Sequence, residues 1–207
     1  MYNIFELLRY LIDLIDEYNN NSICFNLCKN IINEKINYNN TFLLEEEYKK
    51  ERNYRNNMLD IGTKIYDCMF DLDKYDKKLF INFETQLEKE FYFASLKRFY
   101  LLGFEIGMSS YGGMDLNIDN YSSGYNEAIL YKHASIILDK VLPNKELSIE
   151  DKNKYHIYIK FIIDYFNGNI DVNSLKDYFS ETDNLIYRQD LLDISKILES
   201  KELSRNR

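Results

Sequence analysis

Proline occurs once in this chain, at Pro143, and glycine seven times among 207 residues. Such a scarcity of breakers argues against a sandwich or barrel, which needs many turns, and suits long helices. Tryptophan is absent and histidine occurs twice, as His133 and His156. There is no HExxH, no CxxC and no glycine-rich phosphate loop, because Gly112-Gly113 lacks the Lys-Ser/Thr that follows in a P-loop. Three cysteines, Cys24, Cys28 and Cys68, make no disulfide framework and read as reduced, buried thiols of a cytoplasmic chain. Cys24 and Cys28 stack on one side of a helix, but the only imidazoles lie far away in sequence. No uncharged apolar run approaches a membrane span. Glu6, Arg9 and Asp13 interrupt the N-terminal apolar pattern, so no signal peptide is read there.

What is abundant is hydrophobic content, 45%, with 19 Tyr and 13 Phe, enough for a sizeable core. Codon bias of an A/T-rich genome accounts for the richness in Tyr, Phe, Ile, Lys and Asn as readily as an aromatic binding surface does. The net charge is −8, and the densest basic patch, Lys49, Lys50, Arg52 and Arg55, is interleaved with Glu45, Glu46, Glu47 and Glu51. At helical spacing Glu45–Lys49 and Glu51–Arg55 form i,i+4 pairs on a solvated face, and nucleic acid is not the expected partner.

The stretch Asp76–Ser110 organises the rest. Phe80, Phe83, Leu87, Phe91 and Ala94 recur in steps of three and four, the mark of one helix face. A second stripe runs Phe93, Leu96, Tyr100, Gly103, Gly107. From Phe91 to Met108 the pattern is apolar nearly all round, which predicts a buried central helix; the whole stretch would be ~50 Å long. Before it, Met1–Tyr18 reads as an amphipathic helix ended by Asn19-Asn20-Asn21-Ser22, and Ile23–Ile36 as a second. A long helix spans Thr41–Asp73 through Met58, Ile61, Ile65, Met69 and Leu72. Thr41 and Asp76 are candidate N-caps. The expected fold is all-α, an irregular helical bundle built on an antiparallel hairpin of Thr41–Asp73 against Asp76–Ser110.

Residues 111–124, with Gly112, Gly113, Gly124, Ser122 and Ser123, read as a connector between a 1–110 bundle and a 125–207 helical part packed on it. The latter holds a helix to Leu142 ended by Pro143. A second is capped by Ser148, runs to Phe166 and stops at Asn167-Gly168. A short helix spans Asn173–Phe179, and a last one runs from Thr182 or Asp183 to about Leu203. No residue signature recurs at a fixed period.

Leu59, Ile65, Leu72, Lys78-Leu79-Phe80, Phe83, Glu90 and Phe99…Gly103-Phe104-Glu105-Ile106-Gly107 together resemble a group of small uncharacterised helical-hairpin proteins of Firmicutes and their phages. Those end in a Phe-x-x-Gly-Phe-x-x-Gly-like segment. The likeness covers about residues 54–110 and departs from the pattern in one place: Phe99 stands four residues before Gly103. It implies a cytosolic hairpin of a low-GC Gram-positive bacterium or its mobile elements, and no chemistry.

Gly103 and Gly107 have the spacing that lets another helix approach closely, within the chain or in a homodimer. Glu105 lies between Phe104 and Ile106, so a buried carboxylate, paired or lining a pocket, is expected there. Phe99, Gly103, Phe104, Glu105 and Gly107 are therefore the candidate packing or partner-binding residues. The acidic pairs Asp13/Asp16, Asp73/Asp76 and Asp190/Asp193 are what a metal-dependent all-α hydrolase would need on facing helices, but Asp76 is better explained as a cap and the others lie on polar faces. No catalytic residue, cofactor or metal ligand is assigned. The reading is a non-enzymatic helical protein that binds another protein; an acidic mimic of nucleic acid and a metal-dependent hydrolase are the alternatives.

Overall fold

The computed structural model describes residues 4–37, 44–73, 83–111 and 127–181. Among these residues every regular element is helical and no strand occurs, so the chain is all-α. It divides into two compact units, Met1–Lys132 and His133–Arg207. The expected connector 111–124, apart from the helical Tyr111, lies outside the described residues. So do Thr41, Asp76, the joint 74–76 and the last helix from Thr182.

In the first unit α1 spans Ile4–Asn37, α2 Leu44–Asp73 and α3 Gln86–Tyr111; α4, Glu127–Ile136, begins there. α1 is one helix of 34 residues where the sequence predicts two. Asn19, Asn20 and Asn21 are poor helix formers, costing together about 2 kcal/mol relative to Ala. Continuing the helix buries Tyr18, Phe25 and Ile32 in one row. A buried Phe or Ile contributes about 1.5–3 kcal/mol, so packing wins. The polar break is also absorbed locally. The Asn21 side-chain amide donates to the Glu17 carbonyl at 2.9 Å, and Asn57 of α2 donates to the Asn21 Oδ1 at 3.2 Å.

α2 runs antiparallel to α1. The Cys68 thiol faces the Leu7 carbonyl, Asn57 meets Asn21, and Lys35 bridges Glu47 at 3.4 Å, one sequence rising as the other falls. The charged start of α2 is knitted by Lys50 to Glu46 at 3.4 Å and Glu47 at 3.5 Å. These pairs are solvated and contribute little individually. The apolar half carries Met58, Ile61, Ile65, Cys68, Met69 and Leu72 into the core.

α3 starts later than predicted. Residues 83–85 are not helical, and the helix opens at Gln86. The reason is a local signal, Thr85-x-x-Glu88. The Thr85 hydroxyl accepts from the Glu88 N–H at 3.1 Å, and the Glu88 carboxylate accepts from the Glu84 N–H at 2.9 Å, a close variant of the capping box. At its far end α3 continues through Ser109 and Ser110, as the stretch Asp76–Ser110 predicts.

α3 runs antiparallel to α2, and the two helices pack closely at three glycines. A Cβ added to Gly107 would stand 3.1–3.4 Å from the Cβ, Cα and N of Tyr66. One added to Gly103 would stand 2.8 Å from the Met69 sulfur and 3.1 Å from Leu11 Cδ1. One added to Gly62 would overlap Ser110 Oγ and Cβ. The Ser110 hydroxyl is held by donating to the Ile106 carbonyl at 2.9 Å, so it cannot swing aside freely.

In the second unit, α4 ends in a single π-helical turn, Ile137–Val141. The Leu142 N–H reaches the Ile137 carbonyl at 2.9 Å, and Pro143, lacking an N–H, stops the ladder. α5 spans Ile149–Asn167 and has a cap at each end. Ser148 accepts from the Asp151 N–H at 3.0 Å. Gly168, at φ 78°, turns the chain in the left-handed conformation. The Gly168 N–H donates to the Tyr165 carbonyl and the Asn169 N–H to that of Asp164, a Schellman ending. α6, Val172–Glu181, buries Leu175, and Tyr178 stacks on Phe161 with centroids 3.7 Å apart. Asp171 precedes it and accepts from the Ser174 N–H at 2.8 Å.

Two outcomes follow. Gly62→Ala should lower the denaturation midpoint, because overpacking costs ~1–3 kcal/mol against a helix-propensity gain of just under ~1 kcal/mol; adding Ser110→Gly should recover part of the loss. A midpoint at or above wild type would place Gly62 outside a packed crossing. Asp171 has its pKa held below the ordinary 3.8, first by the Ser174 backbone N–H and then by the Ser174 side chain. A lowered folded-state value means that its capping of α6 is complete above the unfolded pKa and is lost as pH falls through the folded one. Carboxyl NMR should show Asp171 titrating below 3.8, and Ser174→Pro, which removes the N–H, should move it upward.

Candidate protein-binding face on the third helix

Each residue of a helix is turned about 100° from the last, so sequence neighbours face different ways. This divides the five candidate residues. Phe99, fully buried, points inward with Gly103, Ile106, Gly107 and Ser110. Phe104 and Glu105 point outward. The expectation of a buried Glu105 is corrected here: its side chain is exposed, and Ile106 beside it is buried.

The inward face is built from aromatic and small side chains. Tyr131 of α4 stacks on Phe91 at 5.4 Å and meets Phe99 edge-on at 5.7 Å. Arg98 is clamped by Glu127 through two bonds of 2.8 and 2.7 Å, a fork geometry that fixes α4 on α3. Near the start of α3, Phe5, Phe83 and Tyr92 form an aromatic cluster, with Phe5 and Tyr92 centroids 4.5 Å apart, and the half-exposed Phe93 joins it from the outer side, its ring 6.0 Å from Phe83 and 5.6 Å from Tyr92.

The outward face overturns the prediction that α3 is buried all round. Phe93, Leu101, Phe104 and Met108 are 50, 47, 51 and 47% exposed. With the exposed Lys97 they form a single row in steps of four, four, three and four. Glu90 and Glu105 flank it. Phe93, Leu101 and Met108 are not among the five candidate site residues read from the sequence. The readable sign was Lys97 in the middle of the row: a lysine within an apolar stripe marks a side open to water.

The other candidates resolve otherwise. Asp13 and Asp16 share Lys132, at 3.1 and 2.9 Å. Burial opposes the charge on Lys132, but the hydrogen bonds to Asp16 and Asp13 outweigh it and raise its pKa. Asp73 accepts from the Tyr100 hydroxyl at 3.2 Å, while Asp190 and Asp193 lie outside the described residues. Among the described residues no three His, Cys, Asp or Glu side chains converge as a metal site would require. His156 is exposed. No helix of the described residues is long and apolar enough to cross a membrane. Cys28 and Cys68 are buried and Cys24 is partly exposed. Burial, and secondarily Asp71, pushes the Cys68 thiol up to about 11, and burial followed by Glu47 raises Cys28.

No family model, no curated protein and no solved structure matches this chain.

The thiols provide a check on this placement. At pH 8 an alkylating reagent should modify Cys24 of the native protein first. Cys68 should lag far behind, because burial pushes its thiol up to about 11, which leaves little thiolate, and covers its sulfur. Peptide mapping after timed alkylation would show it; equal rates at all three would contradict the described packing of α1 on α2.

Proposed function

We propose that this chain is a non-enzymatic helical protein that acts by binding another protein, and that the outer face of α3 is its contact. The observation that carries the reading is the row Phe93, Leu101, Phe104 and Met108, four large apolar side chains, each about half exposed, on one helix. Contiguous exposed apolar surface rimmed by charge is the usual signature of an association site, and aromatic residues and methionine are enriched at such sites. Glu90 and Glu105 supply the polar rim, and Lys97 stands within the row. The cytoplasmic placement and the likeness of residues 54–110 to hairpin proteins of Firmicutes and their phages belong to the same proposal. They point to a setting in a bacterium or its mobile elements.

Neither alternative gains a specific observation. Mimicry of nucleic acid calls for uncompensated rows of carboxylates, whereas Glu46 and Glu47 are bridged by Lys50, and Asp60 by Lys64 at 2.7 Å. A hydrolase calls for converging acids, and Asp13 and Asp16 converge on a lysine.

Phe104→Glu is the direct test. Its side chain is half in water, so the melting temperature should stay within a few degrees of wild type. Immobilised wild type and variant, exposed to the same source extract, should differ, with at least one protein retained by wild type and lost by the variant. Identical retained sets would sink the assignment of this face.

A further inference from the structure

We infer that the occupant of α3's outer face is a second copy of this chain, laid antiparallel across the first with Leu101 on the two-fold axis. This rests on the preceding reading of that face as a binding surface and names what binds there. An isologous pair requires a surface that is complementary to itself: whatever stands at one distance before the axis must suit what stands at the same distance after it. The row on α3 meets this condition. Counting outward from Leu101, Lys97 lies four residues before and Glu105 four residues after; Phe93 lies eight before and Met108 seven after. Antiparallel pairing therefore sets Lys97 of each copy against Glu105 of the other, and Phe93 of each against Met108 of the other. It also brings Lys97 alongside the opposite Phe104 ring. Each match is favourable: opposite charges on a rim, sulfur against an aromatic ring, and a cation beside a ring.

The same row argues against other arrangements of two copies. A parallel pairing in register would set Lys97 against Lys97 and Glu105 against Glu105, two like-charge contacts. Two further charged side chains of α3 near the row have partners within the chain. Glu90 accepts from the Gln86 side chain at 2.8 Å, and Arg98 is held by Glu127. Lys97 and Glu105 are exposed, and no ion pair among the described residues engages either. Four half-exposed side chains per copy form a patch below the ~800 Å² per partner of a standard stable interface. The dimer is accordingly a reversible one that assembles with concentration.

Sedimentation equilibrium of the full chain over a concentration series at low salt tests this, with wild type, Lys97→Glu, Glu105→Lys, and an equimolar mixture of the two variants. Both positions are on the surface, and circular dichroism confirms that each variant keeps its helix content. Wild type should show a monomer–dimer equilibrium. Each variant alone places like charges across the axis at two symmetry-related points and should dimerise roughly tenfold or more less tightly. The mixture should recover wild-type association. In the mixed pair the carboxylate introduced at position 97 of one variant meets the ammonium introduced at position 105 of the other, while the native Lys97 meets the native Glu105. A wild type that stays monomeric at every concentration overturns the pairing. So does a dimer that the single changes leave untouched, or a mixture that fails to recover. A monomeric wild type leaves the wider protein-binding reading standing, since the comparison of wild type with Phe104→Glu against a source extract decides that separately.

Discussion

α2 and α3 pack closely because at three points one helix offers a glycine to a side chain or backbone of the other, and much of the first unit depends on that crossing. Gly107 lies against the Tyr66 backbone, Gly103 against Met69, and Gly62 against Ser110. The three contacts are spaced along one seam, so they fix the register of α3 as well as its distance. With the register set, Phe99 and Phe91 arrive opposite Tyr131, and Arg98 arrives where Glu127 can clamp it. Sliding α3 by one turn in one direction would replace Gly107 at Tyr66 by a residue that carries a side chain. Sliding it the other way would bring Phe99 onto Met69. Either shift would lose these contacts together. The geometry is stiff because it relies on missing atoms: a glycine row admits one close partner and one alignment.

The placement of the outer row is a consequence of the same seam. Once Gly103 and Gly107 face α2 and Phe99 faces α4, helical rotation directs Phe104 and Met108 to the other side. The apolar residues of α3 therefore exceed what α1, α2 and α4 cover in the described part of the unit. A helix apolar nearly all round can be central to a core, or it can have a core on one side and an unfilled seat on the other. Composition does not distinguish the two, and the single lysine in the row does.

The all-α class was legible from the scarcity of breakers and from the three–four spacing. So were the Ser148 cap and the Asn167-Gly168 stop, because each rests on chemistry within a few residues. Continuity of α1 across Asn19–Ser22 was not legible. The asparagines carry a strong local signal, and the burial that outweighs it comes from residues far off in sequence. The late start of α3 was legible in principle in Thr85-x-x-Glu88, but the apolar stripe through Phe80 and Phe83 drew the boundary too early. Of the five candidate residues, Phe99, Gly103 and Gly107 lie on the packed face of α3 and Phe104 and Glu105 on its exposed face, a division the sequence reading did not draw. Gly103 and Gly107 could be read as a close-approach row without knowing the partner, whereas the exposure of Glu105 required knowing which side α2 occupies.

The net charge of −8 adds a colloidal consequence to the exposed row. Two copies repel each other at distances up to a Debye length, ~8 Å at physiological salt, while the apolar row attracts only at contact. On the proposed pairing, the balance would let close pairs form yet discourage indefinite growth, since every added copy would bring its full charge but no further unfilled row on the same helix. Near the isoelectric point of about 4.9 the repulsion vanishes while the attraction remains. If the row is the adhesive surface proposed for it, the acidity of this chain acts as its dispersant, and mildly acidic solution is where the protein would fall out.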